Sequence, residues 1–208
     1  MHAVTVREIL WDEFCAIFPK NNVIPDSTGY TSGRDLEAVM MLCRGHVLEF
    51  GTAAGHTTLW LARNGATVTT VDVESRDMVT EGAHQREQIE PAHRRGQHFI
   101  GTPEQQRIRQ VLIDPNMPHD FAALGGPFDS AFVDSLHTFS GVAKDTETAM
   151  LLVRDGGMIV WDDYRASEDG VNEYLDGVET IAPSVLRHVH GTRIVYASVT
   201  DELRKAIL

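Results

Sequence analysis

Three aspartates in this chain have types and spacing that could do chemistry. Asp134 closes the predicted strand 128–134, Asp162 closes the predicted strand 157–162, and Asp163 follows it directly. Parallel strands end at the same edge of a sheet, so we expect the three carboxylates to converge there. Like charges a few ångströms apart repel by about 4 kcal/mol at an effective dielectric near 20, unless a cation is present. Oxygen ligands suit Mg²⁺ better than Zn²⁺, and the pattern therefore predicts a site for Mg²⁺ or another divalent cation.

A turn containing two glycines follows the first predicted strand. The apolar run 46–50 includes Glu49, and Gly51 and Gly55 stand four positions apart before a helical pattern that begins near His56. Glycines let the backbone approach a ligand closely, and the start of a helix presents unpaired N–H groups to it. Such a turn predicts a binding site, although taken alone it is also an ordinary connection between a strand and a helix.

Asp72 supplies a second feature of a binding site. It follows the apolar residues of the next predicted strand, 67–72, about twenty residues beyond the glycines, where a doubly wound fold binds a ribose diol. The glycines and the acid in this order favour a cofactor site over an ordinary turn. A nicotinamide dinucleotide is the natural competitor, but it prefers the pattern G-x-G-x-x-G, and residues 51–56 do not supply it.

With these strand ends, the chain resembles the class I S-adenosylmethionine-dependent methyltransferases. Within that class it is similar to the metal-dependent small-molecule O-methyltransferases and to the antibiotic-tailoring (macrocin-type) methyltransferases, over residues 30–199. The resemblance implies an α/β, Rossmann-like fold with a seven-stranded, mostly parallel sheet, one reversed strand and helices on both faces. It also implies metal-assisted transfer of a methyl group from S-adenosylmethionine to a hydroxyl of a small molecule.

The resemblance places the cofactor at the ends of the first strands. The turn at Gly51 and Gly55 would accommodate its amino-acid part, Asp72 would accept hydrogen bonds from the ribose, and residues 102–104 would border the adenine. The residues expected to bind the cofactor are Glu49, Gly51, Thr52, Ala53, Gly55, Thr57, Asp72, Val73, Thr102, Pro103 and Asp134. These families usually have a further glycine where this chain has Ala53, and we expect alanine to fit if its φ is negative.

The resemblance also implies the roles at the chemical end of the site. Asp134, Asp162 and Asp163 match the metal positions of these families, and His137 falls where their members place a general base. His137 would take the proton of the acceptor hydroxyl, and the oxygen would attack the sulfonium methyl in line. The alternatives are that one aspartate of the 162–163 pair caps the following turn and that His137 is an ordinary surface histidine.

Periodicity and turn residues predict the remaining elements. The predicted helices cover 4–18, 32–43, 56–64, 75–90, 103–113, 140–153 and 168–181, and a third strand covers 98–102. Strands 185–190 and 193–199 form a closing hairpin around Gly191-Thr192. The connection 114–127 is either a mobile substrate loop or a plain surface insertion. The N-terminal helix either covers the substrate side or forms a homodimer, as the resemblance implies, or only packs on the core.

Length and charge limit the partners. A chain of 208 residues with 42% hydrophobic content predicts one domain, 1–208, with an N-terminal helical cap over 1–45 and a cofactor-binding core over 46–208. The net charge of −12 argues against a nucleic-acid surface, and no apolar run is long enough to cross a membrane. Two cysteines fit a reducing compartment. We therefore expect a cytoplasmic protein that acts on a hydroxylated small molecule.

Two other functions fit the same pattern. A protein that binds S-adenosylmethionine without catalysis, or that serves in assembly, would be consistent with Ala53 at a position that is usually glycine. An oxidoreductase or hydroxylase-like activity on the same scaffold is the other, because some relatives of the tailoring enzymes are assigned as hydroxylases. Transfer of a labelled methyl group to hydroxylated substrates separates methyltransferase from oxidoreductase.

Overall fold

A computed structural model of the chain describes residues 5–73, 94–113, 121–167 and 169–208. The strands are β1 (Glu8–Ile9), β2 (His46–Phe50), β3 (Thr67–Val73), β4 (Ile108–Ile113), β5 (Phe128–Val133), β6 (Val153–Trp161), β7 (Arg187–Val189) and β8 (Val195–Ser198). The α-helices are α1 (Trp11–Ile17), α2 (Gly33–Leu42), α3 (His56–Arg63), α4 (Phe139–Leu152), α5 (Asp169–Ile181) and α6 (Asp201–Ile207). Two short 3₁₀ helices cover Pro103–Arg107 and Phe121–Leu124.

The strands form one mixed sheet in the order β1-β7-β8-β6-β5-β2-β3-β4. Only β8 runs against its neighbours, since it pairs antiparallel with β6 and with β7, and every other pair is parallel. The predicted Rossmann-like sheet with one reversed strand is therefore confirmed. Over the described residues, the sheet has eight strands instead of seven because β1 adds a short strand at the β7 edge.

The two faces of the sheet carry different helices. On one face, α1, α2 and α3 pack their apolar side chains against Val47 of β2 and Phe132 of β5. On the other face, α4, α5 and α6 pack against Leu48 of β2 and Ile159 of β6. Successive residues of a strand point to opposite faces, so Val47 and Leu48 serve the two layers in turn. The helices on both faces are as predicted.

The structure departs from the sequence prediction between residues 94 and 113. The strand predicted at 98–102 and the helix predicted at 103–113 are both wrong. Gly96 and Gly101 adopt φ of +71° and +80°, which interrupts an extended strand, and Pro103 begins only a short 3₁₀ helix. The strand begins at Ile108, where pairing with β3 satisfies its backbone groups.

Other predictions differ at the two ends of the chain. The helix predicted over 4–18 begins at Trp11, because residues before it pair with β7 through His188 N–Arg7 O and His190 N–Ile9 O hydrogen bonds of 2.9 Å. The hairpin predicted at the C-terminal end is confirmed as β7 and β8, in shorter form. Helix α6 was not predicted, and the Thr200 side chain caps it by accepting a hydrogen bond from Leu203 N.

Several predictions concern residues that the structure describes only in part. The helix predicted at 75–90 and residues 114–120 of the long connection lie outside the described residues.

Both cysteines, Cys15 and Cys43, are free thiols. In the described part of the chain, no helix combines the length and apolar character needed to span a bilayer.

Candidate active site

The carboxyl ends of four adjacent strands form the candidate active site. The backbone register aligns Phe50 of β2 with Val71 of β3 and with Val133 of β5, and it aligns Val133 with Trp161 of β6. The next residue on each strand therefore lies at the same sheet edge: Asp72, Gly51, Asp134 and Asp162. Backbone hydrogen bonds continue the alignment, from Asp134 N to Phe50 O at 3.0 Å and from Asp162 N to Val133 O at 3.2 Å.

The acids at this edge form a cluster with His137, which we call the acid centre (Asp134, His137, Asp162 and Asp163). Ligand atoms of Asp134, His137 and Asp163 all lie within 4.8 Å of one another. His137 Nε2 is 3.0 Å from Asp163 Oδ2 and 3.8 Å from Asp134 Oδ1. Asp162 lies at the same sheet edge and is almost completely buried, but it is not part of that group of ligand atoms. Of the residues predicted for the chemical end of the site, the structure therefore brings Asp134, His137 and Asp163 together.

The charges of the acid centre shift one another's pKa values. Burial raises the pKa of Asp134 and of Asp162, and neighbouring carboxylates add to the rise. Burial alone would raise the pKa of Asp163, but His137 at 3.0 Å and the charge of Arg193 lower it. Burial alone would lower the pKa of His137, yet the two carboxylates beside it raise that pKa to about 10. His137 is therefore protonated at neutral pH in this state.

Thr31 and Arg193 form hydrogen bonds with the acid centre, and the sequence analysis missed both. Thr31 Oγ1 lies 2.8 Å from Asp162 Oδ2 and 3.2 Å from Asp134 Oδ2, and its side chain is buried. Arg193 Nη1 donates to Asp163 Oδ1. The predicted hairpin gave a usable signal for Arg193, because a turn after a parallel strand lies at the carboxyl edge of the sheet. Thr31 follows a polar loop and carried no such signal.

Two glycines shape the turn between β2 and α3. Gly51 and Gly55 adopt φ of +96° and +82°, and Gly55 is the N-cap of α3. A Cβ on Gly55 would lie 2.6 Å from the Phe99 ring and 2.9 Å from Gly96 Cα. Both positions therefore need glycine, as the predicted binding turn requires.

Ala53 corrects one expectation from the sequence. Alanine was expected to need a negative φ, but the structure gives Ala53 a φ of +43°. This left-handed conformation costs about 1–2 kcal/mol in a residue with a Cβ. Ala53 N donates to Asp72 Oδ2 at 3.0 Å, and Ala53 O accepts from Gly96 N at 3.0 Å. These two hydrogen bonds hold the turn in the shape that a glycine would adopt without strain.

Asp72 lies directly beside the turn. Its Oδ1 accepts a hydrogen bond from Val73 N at 2.7 Å, and its Oδ2 is 3.9 Å from Nε of the buried Arg95. Burial raises the pKa of Asp72, and the charge of Arg95 opposes the rise. Nearby, Thr52 Oγ1 is 2.7 Å from Thr70 Oγ1, and Thr57 is half-buried in the first turn of α3. The expected cofactor residues of the first two strand ends therefore lie together.

Thr102 and Pro103 do not follow a strand end, as the sequence analysis assumed. They precede β4, and the 3₁₀ helix that Pro103 begins runs beside the last turn of α3. Glu104 Oε1 is 4.0 Å from Nε of Arg63 there, and Arg107 Nη1 donates to Gly65 O at 3.3 Å. The reason for assigning these residues to the adenine is therefore lost. The segment that follows β4 lies outside the described residues.

Glu49 is a buried carboxyl group directly beneath the turn. Its side chain is fully buried, and its Oε2 accepts a hydrogen bond from Thr58 Oγ1 in α3. Burial raises the pKa of Glu49 to about 8, and the charges of Asp134 and Asp72 add to the rise. Glu49 therefore ties β2 to α3 and holds a proton at neutral pH.

We expect Glu49→Gln to stabilise the protein at alkaline pH. Since the folded pKa of about 8 exceeds the ordinary value of 4.5, folding retains a proton that the unfolded chain loses, and stability falls as pH rises between these two values. The loss amounts to at most about 5 kcal/mol above pH 8. Glutamine retains the acceptor for Thr58 without the ionisation. Melting temperatures at pH 4.5 and pH 8.5 measure the effect, and an equal pH dependence in the two proteins would contradict it.

The sequence matches the family model of a methyltransferase domain over residues 48–164. That match covers more than half of the chain, and it contains the glycine turn, Asp72 and the acid centre. The protein therefore belongs to this methyltransferase family, and it is an S-adenosylmethionine-dependent methyltransferase of class I. No match to the chain is found among the curated proteins.

Solved structures show the same fold at low sequence identity. The cofactor-bound protein Rv0187 from MTB is 21% identical, with a TM-score of 0.52 over 79% of this chain and 75% of that one. A proposed O-methyltransferase from Klebsiella pneumoniae is 19% identical, with a TM-score of 0.52 over 89% and 84% of the two chains. A proposed rRNA methylase from Clostridium thermocellum is 13% identical, with a TM-score of 0.50 over 85% and 98%. The fold is thus shared by proteins named for different acceptors.

Proposed function

We propose that the protein methylates a hydroxyl of a small molecule, and that a divalent cation such as Mg²⁺ assists the reaction. The observation that carries this proposal is the placing of Asp134, His137 and Asp163 within 4.8 Å of one another, at the strand ends beside the glycine turn. S-adenosylmethionine would lie over Gly51 and Asp72, with its methyl group towards these side chains. Part of the acceleration would then come from holding acceptor and methyl close and aligned.

The chemistry of the acid centre fits a divalent cation. Asp134, Asp162 and Asp163 offer carboxylate oxygens, the ligands that Mg²⁺ prefers. Burial, and after it the charges of neighbouring carboxylates, raises the pKa values of Asp134 and Asp162, and a bound cation would stabilise their ionised forms. When bound there, a divalent cation lowers the pKa of an acceptor hydroxyl and orients it.

His137 would serve as the general base of the reaction. Its protonated state depends on the two carboxylates that face Nε2, at 3.0 Å and 3.8 Å. A cation that balanced their charge would lower the pKa of His137, and the imidazole would then accept a proton from the acceptor.

A small acceptor is favoured by charge. The chain carries a net charge of −12, which opposes the binding of a polyanion such as RNA. The proposal therefore includes a hydroxylated small molecule as substrate, with neither nucleic acid nor membrane as partner.

Chelation tests whether the cation takes part in the reaction. Methyl transfer from labelled S-adenosylmethionine to a panel of catechols, phenols and sugars would be measured with added Mg²⁺ and with excess chelator. We expect chelation to reduce the rate at least about 100-fold, and Mg²⁺ to restore it. Full activity in chelator would remove the cation from the mechanism, and binding of the cofactor without methylation of any acceptor would favour the non-catalytic function.

A further inference from the structure

Arg193 places a positively charged guanidinium beside the acid centre. It lies in the turn between β7 and β8, and this turn is tied to the end of β6 because Tyr164 N donates to Arg193 O at 3.0 Å. Nη1 of Arg193 donates to Asp163 Oδ1, and Nη2 lies 3.6 Å from Asp162 Oδ1. The guanidinium therefore faces both acids that follow β6.

Asp35 holds the same guanidinium from another side. Arg193 N and Nε donate to the two carboxylate oxygens of Asp35 at 2.9 Å and 3.1 Å, and Asp35 lies in the first turn of α2. Nη2 also donates to Tyr30 O at 3.4 Å. Turning the guanidinium away from Asp163 would break these bonds. A planar group bonded on several sides is a fixed charge, unlike a freely rotating surface arginine.

Asp163 is the side chain whose direction depends on this contact. Its φ of +62° is uncommon for a residue other than glycine. Oδ1 accepts from Arg193, while Oδ2 lies 3.0 Å from His137 Nε2. The two oxygens thus face two different side chains. By binding Oδ1, Arg193 sets the position of Oδ2 relative to His137.

We propose that Arg193 is a positioning residue that directs Asp163 towards His137 and limits the affinity of the acid centre for a divalent cation. This proposal rests on the cation site of the proposed function. Arg193 places a positive charge beside two of the three acids, and a second cation entering the centre is repelled by it. At an effective dielectric near 20, a charge a few ångströms away changes cation affinity by about tenfold or more.

Titration with Mn²⁺, followed by electron paramagnetic resonance on the full chain, tests the proposal without reference to turnover. We expect Arg193→Gln to bind Mn²⁺ about tenfold more tightly than the wild type, because the opposing charge is gone. Arg193→Lys retains the charge and is expected to bind Mn²⁺ nearly as the wild type does. Both variants should have a reduced kcat, because neither holds Asp163 as the guanidinium does.

Arg187→Gln is the matched control. Arg187 is in β7, and its Nη1 donates to Ser184 O and Leu186 O, away from the acid centre. The control loses the same charge and should keep the Mn²⁺ affinity and the kcat of the wild type. Asp35→Asn is a second test should Arg193→Gln fail to fold, since it leaves the charge of Arg193 without its partner carboxylate. We expect Asp35→Asn to bind Mn²⁺ several-fold more weakly, because the unbalanced guanidinium repels the cation more strongly.

The possible outcomes separate this proposal from the proposed function. Equal Mn²⁺ affinity in the wild type and in the folded Arg193 and Asp35 variants overturns the role of Arg193 and leaves the cation site intact. Binding that appears only in Arg193→Gln supports the role of Arg193 and removes the cation from the wild-type reaction. No Mn²⁺ binding in any variant overturns both.

Discussion

Asp134→Asn should reduce methyl transfer at least about 100-fold while leaving the affinity for S-adenosylmethionine within a few-fold of the wild type. Asp134 occupies the sheet edge between the glycine turn and the two acids after β6, and its carboxylate faces His137 Nε2 at 3.8 Å. The amide preserves the shape and the acceptor for Thr31 but removes one negative charge. That loss weakens cation binding and the charge balance around His137, whereas Gly51 and Asp72 still hold the cofactor.

Asp129→Asn, an aspartate-to-asparagine change in β5 itself, is the control for this prediction. Asp129 lies near the other end of β5, where it accepts from His46 N at 2.8 Å and pairs with Arg154 Nε at 2.8 Å. Asp129→Asn should keep the wild-type rate. Calorimetric titration with S-adenosylhomocysteine and a methyl-transfer assay on both variants measure the two effects. Parallel loss of cofactor binding and activity in Asp134→Asn would contradict the division of roles.

The sequence predicts those parts of the fold in which one chemical signal dominates. The apolar runs of β2, β3 and β5, each followed by a glycine or an acid, are buried parallel strands in which backbone pairing and burial agree. The reversed strand could be predicted from the sequence because Gly191-Thr192 marks a tight turn between two strands. Where those signals are present, the rule that parallel strands are joined by right-handed connections leaves few possible strand orders.

Other parts of the fold depend on contacts that no local pattern shows. Residues 98–102 contain the apolar pair Phe99 and Ile100 and look like a strand, but Gly96 and Gly101 turn the chain so that Phe99 packs on Gly55. The segment 108–113 alternates poorly, and pairing with β3 decides that it is a strand. Tertiary pairing overrides the local preference at 108–113, whereas the two glycines and the packing of Phe99 override it at 98–102.

The candidate site divides in the same way. Asp72, Asp134 and Asp162 can be predicted as site residues from their positions at strand ends, because parallel strands bring their carboxyl ends to one edge of the sheet. Thr31 and Arg193 reach that edge from a loop and from a hairpin turn. The bonds from Thr31 to Asp134 and Asp162 and from Arg193 to Asp35 join residues more than a hundred positions apart. A sequence can name the acids of such a site more readily than the groups that neutralise and orient them.

Gly51→Ala is the substitution with the largest expected effect on stability and on cofactor binding. Gly51 has a φ of +96°, and a Cβ there would overlap the carbonyl oxygen of Asp134 and lie 2.7 Å from its carbonyl carbon. Both atoms belong to the backbone that continues β5, so the overlap is relieved only by separating β2 from β5. Gly51 N also donates to Val71 O at 2.8 Å, which ties the turn to β3. The strain and the overlap together should cost more than about 3 kcal/mol of the free energy of unfolding.

Gly156→Ala separates the overlap from the backbone strain. Gly156 also has a left-handed φ, +71°, but a Cβ there would meet nothing within 4 Å, so only the strain of about 1–2 kcal/mol is expected. Urea unfolding of the wild type and both variants gives the two free energies, and titration with S-adenosylhomocysteine gives the cofactor affinity. If Gly51→Ala costs no more than Gly156→Ala and still binds the cofactor, the close approach of the two strand ends is not what forms the site. The strongest form of the expected result is that Gly51→Ala does not fold at all while Gly156→Ala does.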